Sequence, residues 1–197
     1  MNDYQIRIAL KHDLFVRYLR DPETLILSEV GLRHGTARID LLVVNSLLHG
    51  FELKSDRDRL VRLRDQARIY NSVLDRVTLV VAHRHASKAM QIIPEWWGVK
   101  VAGISQRGTI HFSDARRPHN NPSPDILAVA KLLWRDEALA LLEDLGAANG
   151  FRSKPRARIY ARLAEVADLD LLHARVRRQF RCRKDWRSDE RRMLSGD

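Results

Sequence analysis

The sequence predicts a mixed α/β domain followed by a helical, basic C-terminal region. Helical spacing of apolar residues near the N-terminus, three short β-rich segments after it and long helical patterns in the last third predict this class. Hydrophobic residues make up 45% of the 197 residues, which is enough for a core. Charged residues make up 30% and are spread along the chain, as in a soluble folded protein rather than a disordered one.

A helix and three strands are predicted first. Apolar residues such as Ile6, Leu10 and Leu14 keep helical spacing over residues 3–19. Asp21-Pro22 ends this helix, because a residue before proline is pushed out of the helical region. The predicted strands cover 24–30, 37–44 and 49–55, and their short connections predict a meander.

The next elements alternate between helix and strand. Ser55-Asp56 is a suitable N-cap for a helix from about residue 57 to 73. A buried strand over 77–82, a weaker helix over 85–93 and another strand over 100–104 follow. The order is therefore α-β-β-β-α-β, then a helix and a strand, with helices on the faces of the sheet.

The predicted domain organisation is a domain over 1–115, a linker over 116–124 and a helical region over 125–197. The linker prediction depends on three of the six prolines and two asparagines in that segment. Ser123-Pro124 predicts the start of a long helix that runs to Leu145, with Gly146 as its C-cap. Two further helices are predicted over 156–166 and 169–183.

A cytoplasmic location is expected. The longest apolar runs are too short to span a bilayer, and the charged N-terminus contains no signal peptide. Cys182 is the only cysteine, which excludes a disulfide framework and cysteine-based zinc sites.

The net charge of +10 is concentrated at one end of the chain. Residues 151–197 contain 14 Lys and Arg against 7 Asp and Glu, a net of +7, whereas residues 1–150 contain 21 against 18, a net of +3. Arginine binds phosphate oxygens through two donors, so a polyanion such as DNA is an expected partner. The alternative is a solvated basic helical surface.

Two carboxylates and a lysine lie in apolar, strand-like sequence. Asp40 lies between Ile39 and Leu41, and Glu52 and Lys54 are two residues apart, so their side chains share one face. A carboxylate in such a place needs a cation partner. Oxygen ligands of this kind suit Mg²⁺ or Mn²⁺, and a nearby lysine suits water activation at a phosphodiester. Equally, Lys54 could serve only as the salt-bridge partner of the carboxylates.

This pattern resembles the PD-(D/E)XK nuclease superfamily, whose restriction-endonuclease-like core is α-β-β-β-α-β. The proline of the motif is absent, because Ile39 precedes Asp40. The resemblance implies that Asp40, Glu52 and the backbone carbonyl of Leu53 bind metal. It also implies that Lys54 activates or orients water.

Three further residues belong to this prediction. Gln66 and Tyr70 are four residues apart on one helical face and resemble the Gln-x-x-x-Tyr motif of RecB-like nucleases, which implies a place at the active site. The alternative is that Tyr70 is a core residue and Gln66 its neighbour. Glu29 is a candidate third metal ligand, or a surface glutamate at a strand end.

Several basic residues are candidate nucleic-acid contacts. Arg38 lies near Asp40 and could hold phosphate or a carboxylate. Arg59 and Arg62 lie one turn before Gln66 and could clamp a phosphate, or be solvated. The segment over 139–165 loosely resembles SAP-like helix-extended-helix DNA-binding modules, which implies phosphate contacts for four residues: Arg152, Lys154, Arg156 and Arg158. The alternative is a helical extension packed on the core.

The sequence thus predicts a Mg²⁺-dependent DNA nuclease, possible as a homodimer, with a role in DNA repair or defence. The second hypothesis is a catalytically inactive nucleic-acid-binding protein of the same fold. The third is an interaction protein in which the charges of the apolar strands form a buried ion cluster.

Overall fold

A six-stranded mixed sheet organises the fold in the computed structural model, which describes residues 1–32 and 35–183. The strands are β1 (Leu25–Leu32), β2 (Ala37–Val44), β3 (Leu48–Lys54), β4 (Arg76–Ala82), β5 (Gly98–Ile104) and β6 (Ile110–Arg116). They lie side by side in chain order. β1, β2 and β3 pair antiparallel, β3, β4 and β5 pair parallel, and β6 pairs antiparallel with β5. The predicted α/β class is confirmed.

One helix, α1 (Asp3–Tyr18), packs against one face of the sheet. Ile6, Leu10 and Leu14 are fully buried and join a cluster that includes Phe51 and Leu53 of β3. The side chain of Asn2 accepts a hydrogen bond from the backbone N–H of Gln5 at 2.9 Å and caps the helix. The first predicted helix is therefore found within one residue of its expected end.

The helix after β3 begins later than predicted. A 3₁₀ turn at Leu60–Arg62 precedes α2, which covers Leu63–Val73. Ser55 does not cap this helix, because the carboxylate of Asp58 accepts hydrogen bonds from both the backbone N–H and the hydroxyl of Ser55, at 2.8 and 2.5 Å. These bonds form a local turn where the predicted first helical turn would lie.

The region between β4 and the C-terminal helices also differs from the prediction. A 3₁₀ turn at His83–His85 and the short helix α3 (Ala86–Met90) replace the helix predicted over 85–93. β6 is an additional strand that forms a hairpin with β5. Gly108 supplies the positive φ of 79° in the connecting turn.

The long helix predicted from Pro124 to Leu145 is two helices, α4 (Ile126–Ala130) and α5 (Arg135–Asp144). At the break, the backbone N–H of Trp134 donates to Glu137 at 2.7 Å. The carbonyls of Leu132 and Leu133 accept bonds from Arg183 and Tyr160, each at 2.9 Å. These tertiary bonds satisfy backbone groups that a continuous helix would pair internally, so the break is stable.

The C-terminal helices α6 (Arg156–Val166) and α7 (Leu169–Cys182) share a hydrophobic core with the sheet. His173 of α7 contacts Asp75, which precedes β4, at 2.5 Å. The predicted linker is anchored as well, since the side-chain amide of Asn121 donates to the carbonyls of Asn71 and Leu74 at 2.7 and 2.8 Å. The division into two domains stays a prediction.

Across the chain that the structure describes, none of the helices is both long and apolar enough to cross a membrane.

Candidate functional site

Glu52 is the centre of a buried polar network on β3. Glu52 is 1% exposed, and Lys54, two residues further along the strand, is 5% exposed. The ammonium of Lys54 forms an ion pair with one carboxylate oxygen of Glu52. The same oxygen accepts a hydrogen bond from Nε2 of Gln66 at 2.6 Å, while the hydroxyl of Tyr70 lies 2.7 Å from the other oxygen.

Helix α2 supplies two of these partners because Gln66 and Tyr70 are one turn apart on the same face. Tyr70 is fully buried, and its hydroxyl also lies 2.8 Å from the carbonyl of Arg38 on β2. The other amide atom of Gln66, Oε1, is buried without a hydrogen-bond partner among the described residues. The structure therefore brings Glu52, Lys54, Gln66 and Tyr70 together.

Burial dominates the electrostatics of this network. It raises the pKa of Glu52 to about 7, against the attraction of Lys54, which lowers it. Burial and the neighbouring Glu52 also raise the pKa of the Tyr70 hydroxyl. At pH 8 Glu52 is charged and paired with Lys54, while Tyr70 stays a neutral donor.

Asp40 belongs to a second network, next to the first. One carboxylate oxygen accepts a hydrogen bond from the backbone N–H of Leu53 at 2.8 Å, and the other accepts one from Arg7 of α1 at 2.9 Å. Burial raises the pKa of Asp40, and the Leu53 N–H and Arg7 oppose that rise. Among the described residues, Asp40 and Glu52 share no hydrogen-bond donor.

Arg7 extends the second network to Glu29. Its guanidinium also pairs with Glu29, whose other oxygen lies 2.6 Å from Nε of Arg38. Glu29 has a positive φ of 57°, which is uncommon for a residue other than glycine. Sequence reasoning missed Arg7. Its signal was a basic residue beside the buried positions Ile6 and Leu10 of α1.

Protein cations alone balance the charges of the carboxylates in the two networks. Asp40 and Glu29 pair with Arg7, and Glu52 pairs with Lys54. Within residues 1–32 and 35–183, no three His, Cys, Asp or Glu side chains are grouped to hold a metal ion. Binding of Mg²⁺ or Mn²⁺ by Asp40, Glu52, Glu29 and the Leu53 carbonyl stays a prediction, and the donor set fits an ion-pair network better.

An open groove of about 650 Å³ lies near the carboxyl ends of β3 and β4, between the segment that leads into α2 and helix α3. We call it the basic groove. Its walls carry four cationic side chains and one histidine: Arg59, Arg64, Arg84, Lys88 and His85. Of the predicted pair, Arg59 lines this groove, whereas Arg62 is exposed on the 3₁₀ turn beside it. Arg64, Arg84 and Lys88 were missed because α2 and α3 meet only in the tertiary fold.

The predicted C-terminal cations lie on a separate surface. Lys154, Arg156 and Arg158 are exposed at the start of α6, and Arg152 pairs with Glu143 at 3.1 Å. The segment compared with SAP-like modules contains α5, a series of turns over 145–155 and α6. Phosphate contacts by these four residues stay a prediction.

Fold and site together define an α/β protein with a closed, buried ion-pair network beside an exposed basic groove. The family model of bacteriophage P4 protein cII matches residues 1–193. The chain belongs to this family.

A curated relative, "Protein cII" of Enterobacteria phage P4, is 31% identical over 112 residues. The aligned segment is 57% of this chain and 42% of the relative, so the chain spans less than half of that protein's length. No solved structure matches.

The family overturns the resemblance to PD-(D/E)XK nucleases, and with it the prediction of a DNA-cleaving hydrolase with a role in repair or defence. The match is to phage P4 protein cII, and no nuclease family matches. The catalytic roles of Asp40, Glu52, Lys54, Gln66 and Tyr70 were implied by that resemblance. The same residue types also make a buried ion-pair network, so a motif of three loosely spaced residues did not discriminate between the two.

Proposed function

We propose that this protein binds DNA without cleaving it and acts by occupying its binding site, which is a regulatory mode of action. The observation that carries the proposal is the basic groove, where four cationic side chains converge on an open surface. The observed α-β-β-β-α-β core supports the groove. The likeness of that core to restriction-endonuclease-like proteins stays a prediction on which the proposal does not depend.

The electrostatics of the groove favour a polyanion. Arg59, Arg64 and Lys88 make no ion pair with any residue in the described part of the chain, so their charges are available to a ligand. Guanidinium groups donate to phosphate oxygens in pairs, and a lysine adds a mobile point charge. Contacts of this kind supply most of the affinity of proteins for the DNA backbone.

The two acidic residues that line the groove are held by neighbours. Asp58 accepts both hydrogen bonds from Ser55, and Asp65 pairs with Arg68 at 3.4 Å. Four cations against two carboxylates leave an excess of positive charge along the wall. The groove therefore attracts phosphate even before the rest of the basic chain is considered.

The buried network supports binding rather than hydrolysis. Both oxygens of Glu52 have protein partners, and Lys54 is held by Glu52 in a nearly inaccessible position. A water molecule to be activated has no free carboxylate to approach there. Glu52 and Lys54 thus form an ion pair within β3 and leave no free group for catalysis.

Fluorescence anisotropy with labelled duplex DNA, single-stranded DNA and RNA of equal length tests the proposal. The variant Arg59→Ala/Arg64→Ala/Lys88→Ala removes three groove charges. Its matched control, Arg20→Ala/Arg107→Ala/Arg117→Ala, removes three exposed arginines that lie outside the groove and have no ion pair in the described residues. We expect the groove variant to bind DNA at least about tenfold more weakly than the control, with a salt slope lower by about 3.

Two outcomes contradict the proposal. Equal affinity of the groove variant and its control for DNA would show that binding depends on net charge alone. Tighter binding of RNA than of DNA would show that DNA is not the preferred ligand. The DNA should remain intact when Mg²⁺ is added. A third variant, Lys154→Ala/Arg156→Ala/Arg158→Ala, measures how much the C-terminal surface contributes to DNA affinity. A larger loss of affinity in this variant than in the groove variant would also reject the groove as the main DNA-binding site.

A further inference from the structure

Helix α1 is apolar on two faces, and the sheet covers only one of them. The inner face, with Ile6, Leu10 and Leu14, is completely buried. On the outer face four large side chains are between 49% and 69% exposed: Tyr4, Ile8, Phe15 and Leu19 at its end. A helix that is apolar on two faces is usually covered on both, so the outer face calls for a partner.

The four exposed residues form a stripe. With 3.6 residues per turn, positions 4, 8, 15 and 19 fall within an arc of about 60° around the helix. We call these residues the outer stripe. Val16 lies about 60° beyond Leu19 around the helix and is 56% exposed. The outer stripe runs the length of α1, which is the geometry of a helix-pairing seam.

We propose that the outer stripe pairs with the outer stripe of a second copy of this chain, with the two α1 helices antiparallel. The stripe is self-complementary in that arrangement. When the two-fold axis passes between Lys11 and His12, Tyr4 meets Leu19 of the second copy and Ile8 meets Phe15. Every member of the stripe finds an apolar counterpart at once, as an isologous interface requires.

The buried area supports a dimer. With about 200 Å² for a fully exposed side chain of this size, the exposed fractions of the outer stripe and Val16 correspond to roughly 580 Å² per copy. Two copies together approach the lower limit of specific interfaces, about 1,200 Å². Flanking polar residues add to this area.

The helix dipoles favour the antiparallel direction. In that arrangement the partial positive charge at the N-terminus of each α1 lies near the partial negative charge at the C-terminus of the other. The direction does not depend on Asp3 or Arg17, because these side chains are already paired within α1, with Arg7 and Asp13.

Light scattering on the full chain after size exclusion tests the dimer. We expect a mass of twice 22.8 kDa for the wild type at micromolar concentration. Ile8→Asp should give the mass of one chain, because the charge would lie in the interface. Ile104→Asp is the matched control, since Ile104 is 53% exposed and lies outside α1; this variant should remain a dimer.

Cysteine crosslinking tests the direction in a Cys182→Ser background. His12→Cys should form a disulfide-linked dimer with diamide, because positions 12 of the two copies meet at the axis. Tyr4→Cys alone should not, because its two copies would be about 22 Å apart at 1.5 Å per residue. Crosslinking of Tyr4→Cys would overturn the antiparallel pairing whether or not His12→Cys also crosslinks, because a parallel pair places every position beside its own copy. A monomeric wild type would overturn the dimer. Circular dichroism verifies that each variant is folded.

Discussion

The environment of Glu52 has a measurable pH signature. Its pKa is raised from 4.5 to about 7 by burial, so the folded state holds a proton that the unfolded state has lost in that interval. The favourable contribution of protonated Glu52 to the free energy of unfolding is fully present below pH 4.5 and is lost as the pH rises through about 7. Glu52 therefore makes the fold less stable at neutral and alkaline pH than at acidic pH.

The variant Glu52→Gln isolates this effect. From pH 4.5 to 8, the free energy of unfolding of the wild type minus that of Glu52→Gln should fall by about 3 kcal/mol, as a shift from 4.5 to about 7 requires. Urea titrations at several pH values measure it. The difference is needed because His49, whose pKa burial lowers to about 3, acts in the opposite sense below its ordinary pKa. A constant difference would contradict the buried, shifted carboxyl.

Sequence reasoning placed Asp40, Glu52 and Lys54 correctly in strands because alternation along a strand is a local property. It missed Arg7 because the contact between α1 and β2 arises only when the helix packs on the sheet, 33 residues away from Asp40. The charged partners of a buried carboxylate are set by the tertiary fold and not by the local sequence. For that reason the same three residues could be assigned to a metal site.

For helices and strands as well, features set by local sequence were predicted and features set by long-range contacts were not. α1 and the first three strands follow from periodicity and from Pro22. The break between α4 and α5 could not be predicted, because Tyr160 and Arg183, which bind its carbonyls, lie 27 and 51 residues further along the chain. β6 was not predicted because none of its residues is buried, so its sequence lacks the apolar alternation that marks a half-buried strand.

The C-cap of α5 is a local signal whose energetic value can be measured. Gly146 has a positive φ of 67°, and its N–H donates to Glu143 at 2.9 Å. Gly146→Ala should lower the free energy of unfolding by about 1 kcal/mol, because a Cβ is disfavoured in this conformation. Gly146→Asn is the control and should lose less, since asparagine tolerates the left-handed region. Equal losses would argue against a conformational origin.

For the whole molecule, the shared core predicts one cooperative unfolding unit. Leu79 of β4, Tyr70 of α2 and Val176 of α7 belong to one hydrophobic cluster, and Asp75 and His173 join the sheet to α7. Calorimetry should give a single transition with equal calorimetric and van't Hoff enthalpies. Two separate transitions would instead support the domain division at residues 116–124.

The β6 edge of the sheet, one of its two edges, is a poor site for another chain to add to. β6 ends the sheet, and its free side is guarded by charged residues such as Asp114, which pairs with Lys100 at 2.7 Å, and by an irregular register near Val99. Such devices discourage the addition of strands from other chains. Aggregation through this edge is thus disfavoured at high concentration. Pairing through the outer stripe would also stop at two copies, because each stripe is covered by the other, whereas an exposed sheet edge can keep adding strands.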